Sequence, residues 1–305
     1  MPDLSQLPSI DQLLQQGEVQ ILETRFGRTL TLKALRLVLE QIRQHAIKEQ
    51  GEIPKHGEII QRAQDWLSSW VSPTLIPVIN ASGVILHTNL GRAPLSRETL
   101  HAILTASQGY SNLEFDLETG KRGKRSIHAS RALAMLTGAE GGLVVNNNAG
   151  AVLLALAALA QDKKVLVSRT QLVEIGGGFR IPDVMQQSGA HLLEVGTTNR
   201  VHLYDYENAL KTQDIAMVLV AHPSNYKLIG FHSEPALEEI IAITHQFEVP
   251  VMHDLGSGAM LDTAEYGLSH EPTVQDSVAA GCDLVCFSGD KLMGGPQAGI
   301  LIGRE

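Results

Sequence analysis

The sequence predicts an α/β protein: a seven-stranded, mostly parallel sheet whose last strand is antiparallel, preceded by a helical domain. Three observations lead there. Residues 1–72 carry helical periodicity and no β-rich runs. From Leu143 onward, short apolar runs alternate with helical stretches, the pattern of a parallel sheet covered on both faces. The last two runs are joined by a segment without helical pattern, too short for a parallel crossover.

In the helical segment, Leu32, Leu35, Leu39, Ile42 and Ala46 recur at three- and four-residue steps and form one apolar stripe. Gly51 and Pro54 close that helix, and a second is expected from Gly57 to Trp70. Pro73 and Pro77 mark a boundary, giving domains at 1–72 and 73–305. The seven expected strands are Leu143–Val145, Val165–Val167, Leu192–Val195, Met217–Val220, Val249–Met252, Leu284–Phe287 and Ile300–Ile302.

Composition narrows the class. Of 305 residues, 44% are hydrophobic and 19% charged, which is globular rather than disordered. The net charge of −9 gives no general signature of nucleic-acid binding. Residues 1–72 are near neutral, with eight Lys/Arg against nine Asp/Glu. The two cysteines, Cys282 and Cys286, suit a reducing compartment and suggest neither a disulfide framework nor a zinc site. The N-terminus has no signal-peptide pattern, and the apolar run Ala149–Ala160 is too short to span a bilayer, so a cytoplasmic location is expected. No GxGxxG or Walker A pattern occurs.

Ser288-Gly289-Asp290-Lys291 follows the sixth run. A lysine in a small polar loop at a strand end is either a solvated charge or a recessed amine able to form a Schiff base with pyridoxal phosphate (PLP). Asp254 follows the fifth run, where it either caps the next helix or opposes a protonated pyridine nitrogen. Asn148, Ala149 and Gly150 open the helix after the first run. This is either an Asn-capped turn or a phosphate cradle at a helix N-terminus. Ser288 could bond the same phosphate, and His222-Pro223-Ser224-Asn225 and Gly196-Thr197-Thr198-Asn199-Arg200 end two further runs. Polar loops thus follow five strands at one expected sheet edge. Arg92 and the basic run Lys121–Arg125 are either a solvated face or contacts for a polyanion.

With these residues in place, the chain resembles the bacterial selenocysteine synthases, L-seryl-tRNA(Sec) selenium transferases of PLP fold type I. The resemblance rests on Ile79–Arg92, Tyr110–Gly120, Asn146–Ala151, Glu194–Arg200 and Ser288–Gly295. It implies conversion of L-seryl-tRNA(Sec) to L-selenocysteinyl-tRNA(Sec) with selenophosphate, through a PLP-bound dehydroalanyl intermediate. Lys291 would carry PLP, with Asp290 also catalytic. Asn148, Ala149, Gly150, Thr197, Thr198, Asn225, Asp254, Ser257 and Ser288 would hold the cofactor, and Arg92 and Arg125 an anion; no metal is implied. The helical segment would grip tRNA, and the chain would join a homo-oligomeric ring of dimers, with no DNA or membrane partner. The resemblance further implies a C-terminal small domain, and the chain stops at Glu305, before it. Two other readings stay open: a related PLP lyase acting on a small amino acid or amino sugar acid, and an inactive truncated tRNA-binding fragment.

Overall fold

The computed structural model describes residues 6–49, 52–175, 178–224 and 226–304; Gly51 and Asn225, both singled out above, lie outside the described residues. Contacts divide the chain into two units, Met1–Ile79 and Asn80–Glu305.

The first unit is helical: α1 Ile10–Leu14, α2 Gly17–Phe26, α3 Arg28–Glu49 and α4 His56–Val71. Ser9 caps α1, its hydroxyl accepting from the Gln12 N–H while the Gln12 side chain accepts from the Ser9 N–H. The stripe expected on α3 is the buried face: Leu35, Leu39, Ile42 and Ala46 are buried, as are Ile59, Ile60, Ala63 and Leu67 of α4. Hydrophobic burial of these two faces holds α3 against α4.

The second unit runs α5 Arg97–Ser107, a hairpin of β1 Phe115–Asp116 and β2 Lys121–Arg122, α6 Ser126–Thr137, β3 Gly141–Val145, α7 Asn148–Leu159 and β4 Lys164–Ser168. It continues with β5 Glu174–Ile175, β6 Phe179–Arg180, α8 Ile181–Ser188, β7 His191–Val195, α9 Leu203–Thr212 and β8 Ile215–Ala221. Last come α10 Leu237–His245, β9 Val251–Gly256, α11 Val274–Ala279, β10 Leu284–Ser288 and β11 Gly299–Gly303.

All seven expected strands enter one sheet, in the order β3-β11-β10-β9-β8-β4-β7. Only β11 runs against its neighbours β10 and β3. Alternate residues of the central strands feed two cores: Val218, Val251, Val285 and Ile300 pack with α9 and α10, while Met217, Met252, Cys286 and Leu301 pack with α7 and α8. A sheet buried on both faces explains why its strands read as unbroken apolar runs.

One expected strand differs. β9 begins at Val251 and continues through His253 and Asp254 to Gly256, instead of ending at Met252. Both polar residues are buried, because β10 pairs alongside: Val285 opposes His253 and Cys286 opposes Asp254. Asp254 is therefore a strand residue and not a cap for the next helix. No helix among the described residues is long and apolar enough to cross a membrane.

Candidate active site

The six parallel strands share one carboxyl edge, where ligands bind in open α/β sheets. A cavity of about 1250 Å³ opens there. Three turns build its floor. The β10–β11 turn is tied down by the Leu292 N–H donating to the Ser257 carbonyl (3.0 Å) and by the Gly295 N–H donating to the Gly289 carbonyl (2.8 Å). The Arg92 loop docks on it through the Ala93 N–H, which donates to the Asp290 carbonyl (3.2 Å). The β3–α7 turn presses on β11 at Gly299, where a Cβ would lie 2.0 Å from the Asn147 carbonyl oxygen, so only glycine allows the approach.

Lys291, Asp254 and Ser224 converge above Gly256. A Cβ built there would lie 4.0 Å from Lys291 Nζ, 3.9 Å from Asp254 Oδ1 and 3.6 Å from Ser224 Oγ. Burial, with the Arg92 charge nearby, holds the Lys291 ammonium below the ordinary lysine range, while Asp254, Asp290 and Glu271 pull the other way. A larger share of this amine is therefore neutral, and nucleophilic, than in water. Burial pushes the Asp254 carboxyl above the usual carboxylate range, opposed by hydrogen bonds from Asn148 and Cys286 and by the charges of Lys291 and His222.

The α7 N-terminus shows the capped turn. Asn147 is the cap, its Oδ1 accepting from the Gly150 N–H at 2.8 Å. The Gly150 amide is thus bonded within the turn, while Gly150 itself lines the cavity. Asn148 and Ala149 line the cavity, as do Ser257 and Ser288, both buried.

Arg92 lines the cavity and donates from Nη1 to both Asp290 oxygens, at 2.9 and 3.1 Å. The carboxylate is buried and engaged by the guanidinium, so Asp290 anchors Arg92.

The remaining expectations fall elsewhere. Thr197 and Thr198 are absent from the cavity lining. They follow β7, the outer strand of the sheet, three places from β9, and the Thr197 hydroxyl donates within its own loop to the Arg200 carbonyl (2.9 Å). Arg125 is absent from it too; its Nε donates to Glu114 (2.6 Å), which also accepts from Arg122 (2.8 Å). Those guanidinium groups hold Glu114 below the usual carboxylate range, so the basic knot carries its own counter-ion.

Glu271 was not singled out from the sequence, yet it lines the cavity and accepts from His222 Nε2 at 3.2 Å. Its segment has no regular pattern, and no signal in the sequence marks it. Arg180 and Gln297 also reach the cavity unannounced.

A solved structure of D-glucosaminate-6-phosphate ammonia-lyase shares this architecture, with a TM-score of 0.56 and 18% identity over 72% of this chain and 56% of that one. The likeness is one of fold, a mostly parallel sheet between helices. Sequence comparison goes further. A family model described as L-seryl-tRNA selenium transferase matches residues 78–305, and one described as selenocysteine synthase N terminal matches residues 4–43. The chain belongs to the L-seryl-tRNA selenium transferase family. It is 48% identical to the L-seryl-tRNA(Sec) selenium transferase of Alkaliphilus metalliredigens and 47% identical to that of Carboxydothermus hydrogenoformans, over 99% of its length in each case. It spans 66% and 65% of those relatives.

Proposed function

We propose that this chain carries the cofactor-binding and tRNA-binding parts of an enzyme that converts L-seryl-tRNA(Sec) to L-selenocysteinyl-tRNA(Sec), with PLP as cofactor and selenophosphate as selenium donor. The observation that carries the reading is the convergence of Lys291 Nζ, Asp254 Oδ1 and Ser224 Oγ around Gly256. The residues present fit PLP. Gly256 puts no side chain between Lys291, Asp254 and Ser224, and Asn148 Oδ1 is a buried cavity-lining acceptor without a hydrogen-bond partner among the described residues.

Bound there, PLP would supply an electron sink that acidifies the α-carbon of the seryl group. The chain's own residues do the rest. Lys291, its charge suppressed by burial, would hold the cofactor aldehyde and, once the seryl α-amine has displaced it, would be the free amine placed to take the proton from that α-carbon. Asp254 would oppose the positive charge of the pyridine nitrogen. The Asn148 and Ala149 N–H groups at the α7 N-terminus, with the Ser257 and Ser288 hydroxyls, line the cavity and would hold the phosphate. Arg92, anchored by Asp290, would meet the anionic selenium donor.

The domain division at 1–72 and 73–305, tRNA binding by the helical unit and assembly into a ring of dimers belong to the same proposal. So does a cytoplasmic location, which suits a charged-tRNA substrate. Support for the tRNA partner is the match of residues 4–43 to the selenocysteine synthase N-terminal model.

The test is a PLP titration of the full chain, followed by borohydride reduction and peptide mass mapping. A visible absorbance band that fixes to the Lys291 peptide, and vanishes in Lys291→Ala, is expected. A wild-type chain that gives no band refutes the cofactor assignment. Seryl-tRNA(Sec) should shift the chain in a gel at concentrations where seryl-tRNA(Ser) does not; equal shifts refute the substrate assignment.

A further inference from the structure

We propose that the Asn148 side chain is a positioning residue for Asp254, holding that carboxylate ionised and in place to receive the cofactor ring nitrogen. This rests on the cofactor reading above and goes beyond it, because that reading gives no role to the Asn148 Nδ2 donor or to its contact with Asp254.

The geometry is direct. Asn148 Nδ2 donates to Asp254 Oδ1 at 2.8 Å, linking the start of α7 to the middle of β9 across 106 residues. Capping does not account for the contact, since Asn147 already caps the helix. A second donor meets the same oxygen: Cys286, paired with Asp254 in the strand register, points Sγ at Oδ1 from 3.6 Å. Asp254 is 3% exposed, so an isolated carboxylate there would favour its neutral form. A neutral Asp254 could not oppose a ring cation.

The amide couples the two ends of this arrangement. A carboxylate oxygen can only accept, so it turns the amide N–H toward itself. That orientation leaves Asn148 Oδ1 buried and without a partner among the described residues. Protonation of Asp254 would let the amide turn round and satisfy its oxygen instead. Asn148 thus ties its own orientation to the charge of Asp254, and a cation arriving opposite Asp254 favours the ionised arrangement.

The experiment measures binding rather than turnover. Two probes are used with the full chain: PLP, and 1-deaza-PLP, in which carbon replaces the ring nitrogen. The variants are Asn148→Leu, similar in size but unable to donate, Asn148→Ser, small and polar, and each combined with Asp254→Ala. Circular dichroism checks that every variant is folded.

Asn148→Leu should weaken PLP about tenfold or more, the range for a hydrogen bond to a charged group. It should leave 1-deaza-PLP unchanged and cost nothing further once Asp254 is alanine. Asn148→Ser should fall between wild type and Asn148→Leu. Equal loss for both probes would assign Asn148 a purely structural role and overturn the inference, as would no loss for either, or full loss in the Asp254→Ala background. A wild-type chain that binds neither probe overturns the cofactor reading and this inference together. Wild-type binding with variants unaffected overturns this inference alone.

Discussion

Gly256→Ala separates a site made by backbone from one made by side chains. Gly256 has φ +67°, in the left-handed region, where a side chain costs about 1–2 kcal/mol. The new methyl meets Ser224 Oγ at 3.6 Å, Asp254 Oδ1 at 3.9 Å and Lys291 Nζ at 4.0 Å, all ordinary contacts, so the empty chain suffers no clash. The stability loss should therefore be the backbone cost alone, a fall in Tm of about 2–8 °C for a domain of this size. Ligand binding should suffer more, because the methyl occupies space among the three groups that define the site. An overpacking cost of about 1–3 kcal/mol corresponds to a PLP affinity roughly 5- to 150-fold weaker. Thermal melts of the empty protein and a PLP titration measure the two effects separately. Reduced stability with unchanged PLP affinity would refute the placement of the ligand over Gly256.

Three further outcomes follow from the same structure. His253 is buried, and burial, with His222 nearby, pushes its imidazole down to about 3, so the folded chain binds fewer protons there than the unfolded chain, whose imidazole titrates near 6.5. Its stability contribution is complete above about pH 6.5 and is lost as pH falls toward about 3, by up to about 1.4 kcal/mol per pH unit. Denaturant midpoints between those pH values should fall less steeply for His253→Gln than for wild type; equal slopes would contradict the assignment. Arg92→Ala strands the buried Asp290 carboxylate and should cost about 1–3 kcal/mol in denaturant unfolding, below the cost for a fully buried pair because the Arg92 side chain is 31% exposed. Adding Asp290→Asn should recover most of that loss, and no recovery would show that the pair is not the cause. Gly299→Ala forces backbone movement against the Asn147 carbonyl and should cost about 3 kcal/mol or more, with PLP binding lost as the β3–α7 turn shifts; a near-wild-type melt would refute the close approach.

The strands were legible because each is short, apolar and flanked by polar turns, and the antiparallel final strand followed from its short connection. Lys291, Asp254, Ser257 and Ser288 were legible for a related reason: small polar residues at the ends of apolar runs collect at a parallel sheet's carboxyl edge. The same rule does not bring Thr197 and Thr198 into the cavity lining. They do follow a strand, but β7 is the outermost strand on its side, and strand order is written in no local pattern. Arg125 lies outside the cavity lining for another reason, since it pairs with Glu114, eleven residues earlier and beyond a hairpin. Glu271 escaped notice because its segment has no periodicity to read.

Periodicity, turn residues and strand-end polarity are local properties, set by how a few neighbouring residues meet solvent. They were enough for the α/β class, the helical segment and the lysine–aspartate pair. The extension of β9 through two buried polar residues, the Asn148–Asp254 bond and the Arg92–Asp290 ion pair arise only when distant segments meet. Each depends on which chain segment lies beside which after the crossovers, and that is decided by burial of the whole sheet between its helices.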